Sequence, residues 1–395
     1  MVNILFKTTS KCNANCSYCF DKINQDTPVH HFVMPIEDFK TMFDYICDNW
    51  GSDIQWCWHG GEPLLAGREW FSEALFFMHK KARFDGGDIH FFMQTNGTLF
   101  NEKWQELFDK YNIDYSVSND GLLNDKTRRY PEVHTSEYMC SPAQLGVISP
   151  ITIDHLIENY EHMKKEKYIE SYTENWGFPA PGQTVQEVWG SEEDIDHAID
   201  KYFEYIKYYI YDQDHPLVNR DVLDFISGGL GFQPSTCIFT NCFASDMICI
   251  NTEGDVFKCD EIDNPDFYLG HYTDFKTYDD IFKSPILSDH LAKKEKWKET
   301  YCKDCDCLGH CSQGCWARAS RESNGEHPYS LMCRLSKRML PKIYEELGDL
   351  TPAQFAKLNP YVQELLLKNL YIPASMKEEA IKKNGNNNIQ TNTPM

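Results

Sequence analysis

A chain of 395 residues is long enough for one large domain or two ordinary ones around a sizeable core. Its 42% apolar and 14% aromatic content marks a globular chain, and no run approaches the ~18 apolar residues that a membrane span needs. A formal charge of −22 argues against nucleic-acid partners and anionic membranes, both of which are bound through Lys and Arg surfaces; a basic peptide is compatible with it. The opening residues, MVNILFKTTS, have no basic stretch followed by a long apolar one, so no signal peptide is read there. Sixteen cysteines, many at short spacings, then point to reduced thiolates binding iron or zinc in the cytoplasm rather than to disulfides.

In chain order, residues 3–9 read as a strand followed at once by a cysteine loop. Residues 35–49 have helical spacing, with Phe39, Met42, Phe43 and Ile46 on one stripe. A strand around 53–58 ends in HGGEP (His59 to Pro63), and a helix over 68–83 precedes a strand over 88–94 that runs into QTNG (Gln94 to Gly97). A helix over 101–111 and a strand over 113–118 ending in SNDG (Ser118 to Gly121) complete the run. Strand–helix alternation of this kind predicts a parallel sheet with crossover helices. All four polar motifs follow a strand's C-terminal end, where a β/α barrel gathers its active site. Further helices are expected near 152–167, 192–211, 334–348 and 352–370, with a boundary at GGLGF (Gly228 to Phe232) and a disordered tail over 384–395.

In KCNANCSYCF the thiols fall as C-x-x-x-C-x-x-C at Cys12, Cys16 and Cys19. Three thiolates on one loop hold three irons of a [4Fe–4S] cube and leave the fourth open for a ligand; a zinc site with a distant fourth ligand meets the same spacing. A second set lies towards the C-terminus. Cys302, Cys305, Cys311 and Cys315 form C-x-x-C-x5-C-x-x-x-C, Cys333 follows after 17 residues, and Cys237, Cys242 and Cys259 lie upstream. Eight thiolates complete two four-cysteine sets, suited to electron transfer, or two zinc ribbons. Cys47, Cys57, Cys140, Cys249 and Cys307 lie off the pattern and read as small buried hydrophobes.

CNANCSYCF resembles the radical S-adenosylmethionine (SAM) motif, in which Tyr18 and Phe20 take the aromatic places beside the last cysteine. The resemblance implies that the open iron chelates SAM and that one electron releases a 5′-deoxyadenosyl radical. Gly60, Gly61, Glu62 and Pro63 match the family's GGEP turn, whose backbone and Glu receive the methionine ammonium. Ser118, Asp120 and Gly121 match its S-L-D-G segment with Asn119 in place of Leu, and Asp125 to Arg128 matches D-x-x-R. The implied cofactor contacts are therefore Tyr18, Gly60, Gly61, Glu62, Ser118, Asp120 and Arg128, with Arg128, or else Arg129, at the carboxylate. The distal cysteines resemble the SPASM extension. That likeness implies one auxiliary cluster on Cys237, Cys242, Cys259 and Cys315 and a second on Cys302, Cys305, Cys311 and Cys333, three [4Fe–4S] clusters in all.

The implied fold is a partial (β/α)6 radical SAM barrel (1–230), a SPASM region (231–350) and a C-terminal helical extension (351–383). The implied activity is oxidation, with cross-linking, of a ribosomally made peptide's side chain. Alternatives are an anaerobic sulfatase-maturating enzyme that makes formylglycine, and a small-molecule SPASM dehydrogenase. In sulfatase maturases an Asp directly after an auxiliary-cluster cysteine serves as base; Asp260 holds that place after Cys259, and a surface acid reads equally well. A Tyr that those enzymes often carry after the motif is absent after Phe20. The expected partners are a peptide or protein substrate and a reductant such as flavodoxin or ferredoxin. Because the first strand begins near residue 3, leader binding is expected from the 122–230 stretch, the C-terminal helices or a separate leader-binding protein.

Overall fold

The computed structural model describes residues 1–21, 33–128, 143–179, 183–235, 247–260, 267–311, 314–323 and 330–369. Cys237, Cys242, Cys140, Arg129 and the expected tail over 384–395 lie outside the described residues. The main elements, in order, are β1 (Val2–Lys7), α1 (Ile36–Asn49), β2 (Ile54–His59), α2 (Arg68–Phe84), β3 (Ile89–Thr95), α3 (Glu102–Tyr111), β4 (Ile113–Ser118) and β5 (Ala143–Ile148). Then come α4 (Leu156–Met163), β6 (Ser171–Trp176), α5 (Glu192–Tyr211), α6 (Arg220–Gly229), β7 (Met247–Ile250), β8 (Asp255–Phe257), β9 (Tyr268–His271), α7 (Pro285–Trp297), α8 (Leu331–Leu347) and α9 (Pro360–Lys368). The chain divides into two compact units, one of residues 1–146, 178–183 and 242–295, the other of 147–177, 184–241 and 296–395.

In the first unit neighbouring strands run β5-β4-β3-β2-β1-β7-β8-β9. The pairs from β5 through β1 to β7 are parallel, and β7–β8 and β8–β9 are antiparallel. Strand alternation assigns the two faces. Val2, Ile4, Phe6, Ile54, Trp56, Trp58, Ile89, Phe91 and Met93 are buried, in one core with Phe39, Phe43 and Phe71 of α1 and α2. The rings of Phe6 and Trp56 lie 5.2 Å apart and those of Trp58 and Phe71 5.0 Å, spacings of favourable aromatic pairs. The register puts Lys7, Cys57, His59, Gln94, Ser116 and Ser118 on the opposite face. That face carries the polar strand ends. β7 extends the sheet beyond β1 with a segment that the sequence places in the cysteine-rich region.

In the second unit Ser191 caps α5 through a capping box with Asp194, and Ile195, Ala198, Ile199, Tyr202, Tyr205, Ile206 and Tyr209 form its buried stripe at helical spacing. Tyr160 donates to Asp212 at 3.0 Å and Tyr209 to the Leu217 carbonyl at 3.0 Å, so these two buried phenols are partnered. Arg334, Arg338 and Lys342 of α8 meet Glu192, Asp196 and Asp200 of α5 in an ionic ladder. Among the described residues no helix is long and apolar enough to cross a membrane.

Candidate active site

The strand ends of the first unit meet on the cysteine loop, as the sequence predicts. β1 ends at Lys7, whose ammonium pairs with buried Asp21 at 2.9 Å, just past Cys19. The other oxygen of Asp21 accepts from the Gly61 N–H at 3.3 Å, tying the loop to the GGEP turn. The Glu62 N–H donates to the Lys11 carbonyl at 2.8 Å, one residue before Cys12. Both glycines are required here. Gly60 and Gly61 have φ of +74° and +43°, and a Cβ on Gly61 would stand 2.2 Å from the Lys11 oxygen.

From β3, Asn96 donates to the Cys12 sulfur at 3.7 Å and to Asn13 at 2.8 Å, and Asn13 donates to Thr98 at 2.7 Å. From β4, the Ser17 N–H donates to the Thr127 carbonyl at 2.8 Å, and the Tyr18 hydroxyl donates to Asp120. Asp120 is buried, accepts from Thr127 at 2.6 Å and pairs with Arg128 at 3.2 Å, whose guanidinium lies 5.6 Å over the Tyr18 ring. Tyr18, Asp120 and Arg128 are thus one group, its two charged members buried and Tyr18 half-buried. Ser118 is not part of this group and accepts from Gln94 at 2.8 Å.

Glu62 is fully buried, and its two oxygens accept from Thr95 at 2.7 Å, the Asn96 N–H at 2.7 Å and the Leu64 N–H at 3.0 Å. Desolvation raises its carboxyl to about 7 against those three donors. The visible work of this side chain is to tie the turn to the end of β3, which leaves the glycine backbone facing the cysteine loop. Sequence reasoning missed Asp21, His59 and Asn96 as site residues. His59 and Asn96 stood inside motifs read for their other members, while nothing local marks Asp21.

Cys12, Cys16 and Cys19 lie within electrostatic reach of one another. Burial pushes the Cys12 thiol up to about 11 and the Cys19 thiol up to about 12, so a bound metal must supply the driving force for their deprotonation. The Cys12 sulfur already accepts from the Ala14 N–H at 3.4 Å, as a ligating thiolate would. Among the described residues no three His, Cys, Asp or Glu side chains close around a single ion. Three neighbouring thiols on one loop are a donor set of the kind that holds an iron–sulfur cube. Asp260, three residues beyond β8, lies 3.3 Å from the Nδ1 of His59 at the end of β2 and 3.5 Å from the Cys259 sulfur. It stands at the same strand ends as the cysteine loop.

In the second unit the thiols of Cys302, Cys305, Cys311 and Cys333 are likewise within electrostatic reach, as is that of Cys307. Cys307, which the sequence reads as a small buried hydrophobe off the ligand pattern, is buried and lies near Cys305.

Residues 6–195 match the radical SAM superfamily. The cysteine-type anaerobic sulfatase-maturating enzyme of Clostridium novyi is 25% identical over 335 residues, which span 80% of this chain and 87% of that one. The serine-type enzyme of Bacteroides thetaiotaomicron is 24% identical over 376 residues, spanning 82% and 84%. Among solved structures, native anSMEcpe with bound AdoMet matches with a TM-score of 0.72 at 20% identity, over 88% of this chain and 98% of that chain. Streptococcus suis SuiB bound to its precursor peptide SuiA matches with a TM-score of 0.57 at 15% identity, over 84% and 75%; likeness at these identities establishes the fold. Residues 6–195 thus carry the radical SAM domain of an enzyme. The family implies a [4Fe–4S] cluster and SAM, and the cysteine-rich region and C-terminal helices follow the arrangement of the sulfatase-maturase fold.

Proposed function

We propose that this enzyme oxidises a side chain of a peptide or protein, with Cys12, Cys16 and Cys19 holding the SAM-binding cluster and two auxiliary clusters accepting the electron. The observation that carries the reading is Asp260, an acid directly after Cys259 that lies 3.3 Å from the His59 ring at the end of β2. When bound, the N-terminal cluster and SAM supply a 5′-deoxyadenosyl radical that removes a substrate hydrogen. Asp260 then takes the proton that leaves the oxidised group, and His59 holds its carboxylate in place. The backbone of Gly60 and Gly61 with Ser118 line SAM, while Asp120 and Tyr18 orient Arg128. Cys237, Cys242, Cys259 and Cys315 hold the first auxiliary cluster, and Cys302, Cys305, Cys311 and Cys333 the second.

Two readings share that chemistry. Formylglycine formation is supported by collinear similarity to both cysteine-type and serine-type sulfatase maturases; cross-linking of a ribosomal peptide is supported by the fold shared with SuiB. The test is anaerobic reconstitution with SAM and dithionite, followed by incubation with a sulfatase-motif peptide and with a Cys- or aromatic-rich peptide encoded beside the gene. We expect 5′-deoxyadenosine and a peptide that has lost hydrogen. An aldehyde on the first peptide selects formylglycine formation, and a dehydrogenated, aldehyde-free second peptide selects cross-linking. Unchanged masses for both peptides reject the proposal, and absence of 5′-deoxyadenosine would contradict radical SAM chemistry itself.

A further inference from the structure

A parallel sheet is ordinarily covered on both faces. In the first unit β3 has a parallel partner on either side, and one face of β2, β3 and β4 is buried against α1 and α2. The other face is open. Gln55 of β2, His90 and Phe92 of β3 and Asp114 of β4 are all exposed on it, Phe92 to 38%. Strand alternation carries the same face up to Gln94 and His59 at the strand ends, where Asp260 lies 3.3 Å from the His59 ring. The register sets Phe92 between Cys57 and Asp114. Among the described residues no cation pairs with the Asp114 carboxylate and no other ring packs on Phe92. An open ring beside a carboxylate suits a cation, which the ring quadrupole attracts and the carboxylate neutralises. Strand spacing and rise put the Phe92 backbone about 8 Å and that of Asp114 about 12 Å from His59.

We infer that Phe92 and Asp114 bind an Arg or Lys side chain of the substrate peptide, the cation lying over the ring and pairing with the carboxylate. Held there, the basic residue fixes which neighbouring side chain reaches Asp260. The inference rests on the proposed oxidation of a peptide and adds to it the charge of a flanking residue. An extended peptide advances ~3.3–3.6 Å per residue, so the cation belongs within about three residues of the oxidised one. Arginine suits the site better than lysine, because a planar guanidinium stacks on a ring while its edge donates to a carboxylate. The charge of −22 on the chain favours approach of a basic peptide.

The probes are copies of the assay peptide that the enzyme oxidises, with Arg or Gln at each of the positions within about three residues of the reacting one. Each copy is titrated against the full-length reconstituted enzyme with SAM and without dithionite. At one position Arg should bind about tenfold more tightly than Gln, the combined effect of a cation–ring contact and an ion pair. Asp114→Asn and Phe92→Leu should each cut that preference to about threefold. Asp114→Lys should reverse it, so that a Glu copy binds best at the same position. A reversed preference requires a folded sheet, which separates lost recognition from a misfolded chain. Equal binding of the Arg and Gln copies at every position overturns the inference, and so does an undiminished preference in Asp114→Asn. Both of those results leave oxidation of the peptide standing, whereas unchanged masses for both assay peptides would remove the reading beneath the inference and the inference with it.

Discussion

Arg128 enters the candidate site through a D-x-x-R pattern, but in the fold its guanidinium is committed to Asp120 at 3.2 Å, with both side chains buried. A buried pair broken on one side leaves an uncompensated charge, and such losses cost about 3–5 kcal/mol. Arg128→Ala is therefore expected to lower the unfolding free energy of the apo chain by an amount of that order, read as a lower urea midpoint. Adding Asp120→Asn should recover much of it, because an amide can still accept from Tyr18 and Thr127. A wild-type midpoint for Arg128→Ala would mean that Asp120 does not depend on the pair, and would free Arg128 to serve a ligand carboxylate alone. At this scale the sequence exposes residue types and spacings but not partners. SNDG and D-x-x-R were readable as motifs, whereas the Tyr18–Asp120–Arg128 group exists only once β4 brings its loop to the cysteine loop. Asp21 is the extreme case, since its partners Lys7 and Gly61 lie 14 and 40 residues away.

Elements were legible where one face is apolar and the other polar. β1 to β4 and α1 to α3 all fall within a residue or two of expectation, because burial on a single face leaves a clean period. α5 coincides with the expected 192–211, helped by its capping box. β5 and β6, AQLGVI and SYTENW, lie in the 122–230 stretch where the sequence shows no clear period: Gly146 interrupts the first, and Ser171, Thr173, Glu174 and Asn175 make the second largely polar. The expected helix over 352–370 is broken, with α9 beginning at Pro360, because the proline nitrogen cannot continue a helix from the preceding turn. The sequence also hides the ladder between α5 and α8, whose members repeat four residues apart on each helix: Glu192, Asp196 and Asp200 against Arg334, Arg338 and Lys342. These groups are a third to two-thirds exposed, so each pair should contribute only about 0.2–1 kcal/mol. A double-mutant cycle on Asp196→Ala and Arg338→Ala, read by thermal unfolding, should give a coupling in that range that shrinks as salt rises. A coupling that salt leaves unchanged would assign the contact to packing of the arginine stem instead.

Across the whole molecule the acids set the pH response. Glu62 in the first unit and Asp221 and Glu322 in the second are each pushed up to about 7, in every case chiefly by burial. A carboxyl whose folded pKa is raised binds its proton more tightly in the folded chain than in the unfolded one. Its contribution is fully present below the unfolded values of 3.8 and 4.5 and is lost as pH climbs through about 7. Each group can account for about 3–4 kcal/mol at most, by the free energy of a pKa shift, and the self-repulsion of a chain at −22 acts in the same direction. Acid brings the opposite change, because Asp196 and Asp200 are held below the ordinary range by the ladder cations against the cost of desolvation, and those pairs are lost as the carboxylates protonate. Stability of the apo chain should therefore be greatest on the acid side of neutrality and decline between about pH 5 and pH 8, although solubility is poorest near the isoelectric point of about 5.0. Thermal unfolding across that window should show the decline, and Glu62→Gln, less stable overall for want of a second acceptor oxygen, should show a shallower one. A melting temperature that rises with pH over the same interval would mean that the three buried acids do not hold their protons in the folded chain.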